Sequence, residues 1–178
     1  MNSKNVTAYI GLGSNLGDRA GNILMAVRGL LEASFVINRL SAVYETEPVE
    51  VMGHPAYLNM AAEVRVSNIS PTQMMARMLR IEYVLGRKEK STKKPRTIDL
   101  DLLFYGKERL DTPFLTLPHP RLCDRRFVLV PMAEIAPDHV HPVLKRSVQE
   151  LLHSCGDLSR VNRWNPGLAP REAVILNR

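Results

Sequence analysis

Cysteine is scarce: Cys123 and Cys155 are the two in 178 residues, and neither belongs to a C-x-x-C pair. That is too few for a disulfide framework, so the expected compartment is a reducing one, the cytoplasm. Long apolar runs are absent as well. No stretch of roughly 18 apolar residues occurs, and the first apolar patch, residues 6–10, is broken by Gly11 and Gly13. Neither a signal-peptide core nor a membrane span is expected from that pattern. The G-x-x-x-x-G-K-[ST] loop is missing, the glycines at 11, 13 and 17 do not make G-x-G-x-x-G, and there is no G-x-S-x-G elbow. A P-loop NTPase, a dinucleotide-binding fold and an α/β-hydrolase therefore lack motif support. Repeats and low-complexity tracts are also missing. Apolar residues at 45% and charged residues at 24% exclude a disordered or collagen-like chain. A chain of this length can bury a core without disulfide or metal staples.

What the chain does have is positive charge. Lys and Arg number 24 against 18 Asp and Glu, a formal net charge of +6. Such a surface favours anionic partners, either nucleic acid or phosphorylated small molecules.

The apolar pattern reads as alternating strands and helices. Val6, Ala8, Ile10 and Leu12 share one face of a strand, with Thr7 and Tyr9 on the other. After a glycine-broken turn, Asp18 caps a helix whose face is Ile23, Ala26, Val27, Leu30 and Leu31. Residues 35–45 read as a second strand, and residues 46–55, with Pro48, Gly53 and Pro55, as a loop. Residues 57–66 alternate again. Ser70-Pro71-Thr72-Gln73 is a capping box with proline at the first helical position. Met74, Met78, Ile81 and Leu85 form the helix's core stripe, which Gly86 ends. Polar residues 87–96 read as a loop before an alternating strand at 97–104. The order βαββαβ predicts an α+β fold, a ferredoxin-like antiparallel sheet with two helices on one face. Residues 105–164 read as additions to it: a short strand near 114–117, a turn at 120–124, and helices at 127–135 and 147–155. Residues 1–164 are expected to form one domain, with 165–178 a loose extension.

Five clusters are candidates for chemistry. Asp99 and Asp101 lie two apart on a strand whose other face is Ile98, Leu100 and Leu102. Their Cα atoms are then roughly 6.5 Å apart. Two carboxylates so placed repel unless a cation joins them, and magnesium, which takes carboxylate and phosphate oxygens, is the natural candidate. Taken alone, the pair reads slightly better as a solvated strand face, although two aspartates in one short strand need a reason. Next to it, Arg87, Lys88, Lys90, Lys93, Lys94 and Arg96 put six cations into ten residues. Cations beside metal-holding carboxylates are the arrangement that phosphoryl transfer requires. A second cationic segment holds His119, Arg121, Arg125 and Arg126, which by itself reads as a salt-bridged surface helix. Tyr57, Asn59 and Phe127 could clamp a flat heterocycle, although alone they read as ordinary strand and core residues. His139, His141 and His153 lack the spacing of a four-ligand zinc site.

Together, Gly13-Ser14-Asn15-Leu16-Gly17-Asp18, Tyr44-Glu45-Thr46-Glu47-Pro48-Val49, Tyr57-Leu58-Asn59, Gly86-Arg87, Pro95-Arg96-Thr97-Ile98-Asp99-Leu100-Asp101, and Pro118-His119-Pro120-Arg121 with Arg125-Arg126-Phe127 resemble the 6-hydroxymethyl-7,8-dihydropterin pyrophosphokinases of folate biosynthesis. The resemblance runs from about residue 6 to residue 164, and Pro95–Asp101 is its most specific part. It implies transfer of pyrophosphate from ATP to the pterin hydroxymethyl group, with release of AMP. It implies that Asp99 and Asp101 hold two Mg2+ ions and that Arg87 and Arg96, on a mobile loop, engage phosphates. His119 and Arg125 would contact ATP, with Leu102 and Thr116 near its base and ribose. Tyr57, Asn59 and Phe127 would hold the pterin, backbone at Thr46 and Val49 would read its edge, and Asp99 would accept a hydrogen bond from its hydroxyl. The chain departs from the family at Glu89, where arginine is frequent, and at Lys93 and Lys94, where an aromatic residue and glycine are frequent.

Two other readings compete. An RNA-recognition module shares the βαββαβ order, but it would need base-stacking aromatics where residues 57–66 supply one, and it would not place Asp99 and Asp101 against a phosphate backbone. A ligand-binding relative without activity is the other. No nucleic-acid or membrane partner is expected, and a monomer is the default.

Overall fold

The computed structural model describes residues 5–47, 55–87 and 94–167. Its first half runs β1 (Asn5–Ser14), α1 (Arg19–Glu32), β2 (Val36–Leu40), β3 (Tyr44–Thr46), β4 (Tyr57–Ser67), α2 (Pro71–Val84) and β5 (Asp99–Tyr105). Then follow β6 (Leu110–Asp111), β7 (Thr116–Leu117), α3 (Arg126–Ile135), α4 (Val148–His153) and β8 (Val161–Arg163). The main sheet has six strands in the order β5-β1-β4-β3-β8, with β2 also paired to β4. The pairings of β1 with β4 and β5, and of β4 with β2 and β3, are antiparallel. This is the α+β arrangement that the sequence predicts.

Local signals act as expected. The Asp18 carboxylate accepts from the Gly21 N–H and starts α1. Ser70 and Gln73 close a reciprocal capping box on α2, and Gly86, at φ 93°, turns the chain out of it. Leu31, at the margin of the α1 stripe, is exposed.

The expected second strand is two. Where it bends, the Ser41 N–H donates to the Ala61 carbonyl and the Ser41 hydroxyl accepts from the Ala61 N–H. A side-chain oxygen thus replaces a rung of the ladder, and the backbone is free to kink between β2 and β3. In β5 the alternation also breaks. Tyr9 pairs with Phe104 but Ile10 with Leu102, so Leu103 is the extra residue of a bulge. Leu103 and Phe104 both join the core on the second sheet face.

That second core is the main departure from expectation. Ile10, Leu12, Leu58, Val64, Leu100 and Leu102 pack under α1 and α2. On the other face Tyr9, Leu103, Phe104 and Leu122 pack under α3 and α4 through Leu129, Met132, Ile135 and Leu151. The later helices are a structural layer, not an addition. The His139 and His141 rings belong to this layer: His139 stacks 4.7 Å from Tyr9 and 4.5 Å from Phe104, and His141 accepts from the N–H groups of Val143 and Leu144. Among the described residues no group of three or more His, Cys, Asp or Glu could hold a metal ion, and no helix is long and apolar enough to cross a membrane.

Leu122 is fully buried in the second core, as Leu102 is nearly so in the first. Leu122→Ala should therefore cost about 2–5 kcal/mol in urea unfolding, as a core leucine does. A loss below about 0.5 kcal/mol, the surface range, would show that α3 and α4 are not part of the cooperative fold.

Candidate active site

A cleft of about 540 Å³ opens where the second core stops short of the sheet. Strand register builds its floor. Gly13 on β1 pairs with Asn59 on one side and Asp99 on the other, and Gly11 pairs with Ala61 and Asp101. The central strand therefore offers no side chain between the two flanking rows. A Cβ at position 13 would stand 3.1 Å from the Asn59 Oδ1. Tyr9, two residues back, is the first large side chain on this face and closes the floor under α3.

Asp99 and Asp101 face the cleft together. Both oxygens of Asp99 are engaged: Oδ1 accepts from Arg87 Nη1, and Oδ2 accepts from Arg96 Nη1 at 2.6 Å. Asp101 is recessed on the floor, with 34% of its side-chain surface open. Burial, then the charge of Asp99, push its carboxyl up to about 6, against the pull of Arg125, Arg87 and Arg96. His119 Nε2 stands 3.9 Å from Asp101 Oδ1, too far for a hydrogen bond. Burial, then Arg125 and Arg121, push the His119 imidazole down to about 4. It is neutral near pH 7. Its Nδ1 accepts from the Arg121 N–H, which leaves the proton on Nε2.

The two arginines are anchored at the ends of the segment between α2 and β5. Arg87 is 8% exposed and also donates to Glu82 at 2.6 Å. The Arg96 N–H donates to Asn15 Oδ1 at 2.8 Å, and the Asn15 N–H to the Arg96 carbonyl. Both ends of the segment expected as a loop are thus tied to neighbouring elements in this structure. Residues 88–93 lie outside the described residues, as does Val49.

On the far wall, the Asn59 amide donates to the Thr46 hydroxyl at 2.8 Å, and Tyr57 lines the same side. Phe127, at the start of α3, faces them across the cleft, with the Arg125 guanidinium 5.5 Å above its ring. The first N–H of α3 is satisfied from a distance, by Asp157 Oδ2 at 2.8 Å. Of the residues singled out in the sequence, the structure brings Thr46, Tyr57, Asn59, Arg87, Arg96, Asp99, Asp101, Arg125 and Phe127 into one cleft, with His119 beside Asp101. Leu102 and Thr116 are elsewhere. Leu102 is 2% exposed in the core under α1 and α2, and the Thr116 hydroxyl, on β7, donates to Asp111. Any contact of Leu102 with a ligand in the cleft falls to its backbone.

Sequence reasoning passed over Glu82. Its carboxylate, 3% exposed, accepts from Arg87 and from the Leu100 N–H at 2.7 Å, between the two aspartates. The signal was present: Glu82 follows Met74, Met75, Met78 and Ile81 on the buried stripe of α2, where an apolar residue is the norm.

The family model for 7,8-dihydro-6-hydroxymethylpterin-pyrophosphokinase matches residues 9–137. The chain belongs to that family. It is 42% identical over 132 residues to the 2-amino-4-hydroxy-6-hydroxymethyldihydropteridine pyrophosphokinase of Bacillus subtilis, covering 74% of this chain and 78% of that one. It is 39% identical over 144 residues to the folic acid synthesis protein fol1 of Pneumocystis carinii, where the match covers 81% of this chain but spans 19% of that longer protein. Among solved structures it resembles the HPPK-DHPS of Plasmodium falciparum with pteroate, at a TM-score of 0.69 and 17% identity, over 86% of this chain and 43% of that one. At that identity the match speaks for the fold.

A carboxyl whose folded pKa exceeds its unfolded one stabilises below the unfolded value and loses that contribution as pH rises through the folded value. For Asp101 the window runs from the ordinary carboxylate range up to about 6. With chelator present, Asp101→Asn should raise Tm over wild type at pH 8, and the gain should vanish toward pH 4. Thermal scans across that range measure it; a gain independent of pH would remove the carboxylate repulsion from the account.

Proposed function

We propose that this cleft transfers pyrophosphate from ATP to the hydroxymethyl group of 6-hydroxymethyl-7,8-dihydropterin, releasing AMP, with Asp99 and Asp101 as holders of two Mg2+ ions. The observation that carries the reading is one row of the sheet: Asn59, Gly13 and Asp99 side by side, with Arg87 and Arg96 on the Asp99 carboxylate. An amide that can read a heterocycle edge thus lies one bare strand away from the group that meets phosphate. The donor set suits magnesium. Two carboxylates share a strand face, one is held up in pKa partly by the other, and hard cations take such oxygens. Bound magnesium supplies neutralisation and orientation of the phosphate oxygens.

The chain's own residues do the rest. The pterin lies between Tyr57 and Phe127, its edge read by Asn59 and by backbone at Thr46 and Val49. Its hydroxyl then points along the row to Asp99, which accepts its hydrogen bond. The hydroxyl oxygen bonds to the β-phosphorus, the bond from that phosphorus to the oxygen bridging the α-phosphate breaks, and AMP leaves with that oxygen. The hydroxyl proton is released to solvent. No covalent bond to the protein forms, so positioning and charge stabilisation carry the catalysis. Arg87 and Arg96 exchange the Asp99 carboxylate for phosphate oxygens, where negative charge gathers. His119, as a neutral Nε2–H donor, and Arg125 serve the ATP side, with Thr116 and the Leu102 backbone near base and ribose. A reducing cytoplasm is the proposed setting. The RNA-module reading loses its platform, because much of the sheet face such modules leave open is packed under α3 and α4.

Calorimetry of ATP binding should show a requirement for magnesium; equal affinity without it would defeat the two-carboxylate role. Arg96→Ala should slow single-turnover AMP formation by about a hundredfold, at ~1.4 kcal/mol per factor of ten, while ATP affinity changes much less. Lys90→Ala is the control and should be nearly silent. If the two variants behave alike, the cations form only a diffuse field.

A further inference from the structure

The first residue of α1 is a cation, placed at the helix end where a cation is unfavourable. The helix does not use it. Asp18 caps the turn, and the Arg19 side chain leaves the helix altogether. Its Nη1 donates to Glu45 Oε1 at 2.8 Å and to the Ala56 carbonyl at 2.8 Å. These acceptors come from opposite sides of one hairpin. Glu45 is on β3, and Ala56 immediately precedes β4, whose last rung with β3 is Thr46 against Tyr57. The Ala56 carbonyl stands just beyond that rung, and Arg19 takes it.

The residues on either side of the clamp are those of the pterin wall. Thr46 follows Glu45 and holds the Asn59 amide, and Tyr57 follows Ala56. Glu45 retains 41% and Arg19 27% of its side-chain exposure. Ion pairs that open to solvent add little to stability. The contact therefore matters for where it holds the two strands rather than for how much it stabilises the fold.

We propose that Arg19 is a positioning residue for the pterin: by tying Glu45 to the Ala56 carbonyl it sets the spacing of Thr46 and Tyr57, and with them the orientation of Asn59. Arg19 touches neither substrate. The inference rests on the reading of the cleft as a pterin and ATP site, and it assigns the clamp to the pterin side alone. Asp99, Asp101 and the phosphate-facing arginines belong to other elements and are untouched by it.

The test is steady-state AMP formation with each substrate varied in turn, for wild type, Arg19→Ala and Glu45→Gln, with Tm recorded for each. Arg19→Ala should raise the pterin KM by more than about threefold, leave the ATP KM within about threefold of wild type, and shift Tm little. Glu45→Gln keeps an acceptor for the guanidinium and should stay close to wild type in both KM values. Glu45→Ala, which leaves α1 intact, replaces Arg19→Ala if that variant does not fold, and the same split is expected. An unchanged pterin KM, or equal rises in both KM values, would overturn the positioning role while wild-type turnover left the pyrophosphokinase reading standing. Wild type without turnover would overturn both.

Discussion

Two carboxylates on the same face of one strand, two residues apart, repel each other across a few ångströms, and the rest of the site is arranged around that repulsion. Asp99 is held by two guanidiniums. Asp101, with less direct help, is left with its charged form disfavoured. Holding the arginines in place needs further polar groups, and each comes from a different part of the chain: Glu82 from α2 for Arg87, and Asn15, the residue after β1, for the backbone of Arg96. Glu82 also grips the Leu100 N–H, so one buried carboxylate fixes both a cation and the strand between the two acids. A cluster with this much internal charge keeps its shape because opposite signs alternate through it.

The floor beneath depends on absence. Gly11 and Gly13 leave the middle strand bare, while the residues on either side carry an amide and two acids. Larger side chains at those two positions would fill the space that a ligand bridging Asn59 and Asp99 must occupy. The same face, a few residues further along, is packed solid by Tyr9, Leu103 and Phe104 under α3. Cleft and core are thus one surface, divided by where the side chains of β1 begin.

Much of this was legible in the sequence because it follows period and chemistry. The alternation of residues 57–66 marks a strand, and in the structure Leu58, Met60 and Ala62 do face one core while Tyr57 and Asn59 face the cleft; Asp18, Ser70 and Gly86 start and stop their helices as their types require. The Asp99–Asp101 pair and its cationic neighbours were visible as charge at strand spacing. Three features were not. The kink at Ser41 depends on a hydroxyl finding the Ala61 N–H, a contact across 20 residues that propensity does not encode. The second core depends on Leu122, Leu129 and Met132 meeting a sheet face that periodicity alone leaves open to either solvent or protein. Glu82 stands out as a charge on the apolar stripe of α2, but the partners that hold it, at positions 87 and 100, are not legible until the fold is known.

The last strand has a consequence for the order in which this protein takes shape. β8 lies beside β3, and the Trp164 N–H donates to the Val43 carbonyl, so residues separated by about 120 positions complete one edge of the sheet. Contacts of such long sequence separation form slowly, because the loop between them must close first. During synthesis the strands β1, β4 and β5, with both acidic side chains, are available to pair well before residue 161 leaves the ribosome. The acidic side of the cleft can be assembled early, whereas the strand that carries Thr46 waits for its outer neighbour until residues 161–163 have emerged.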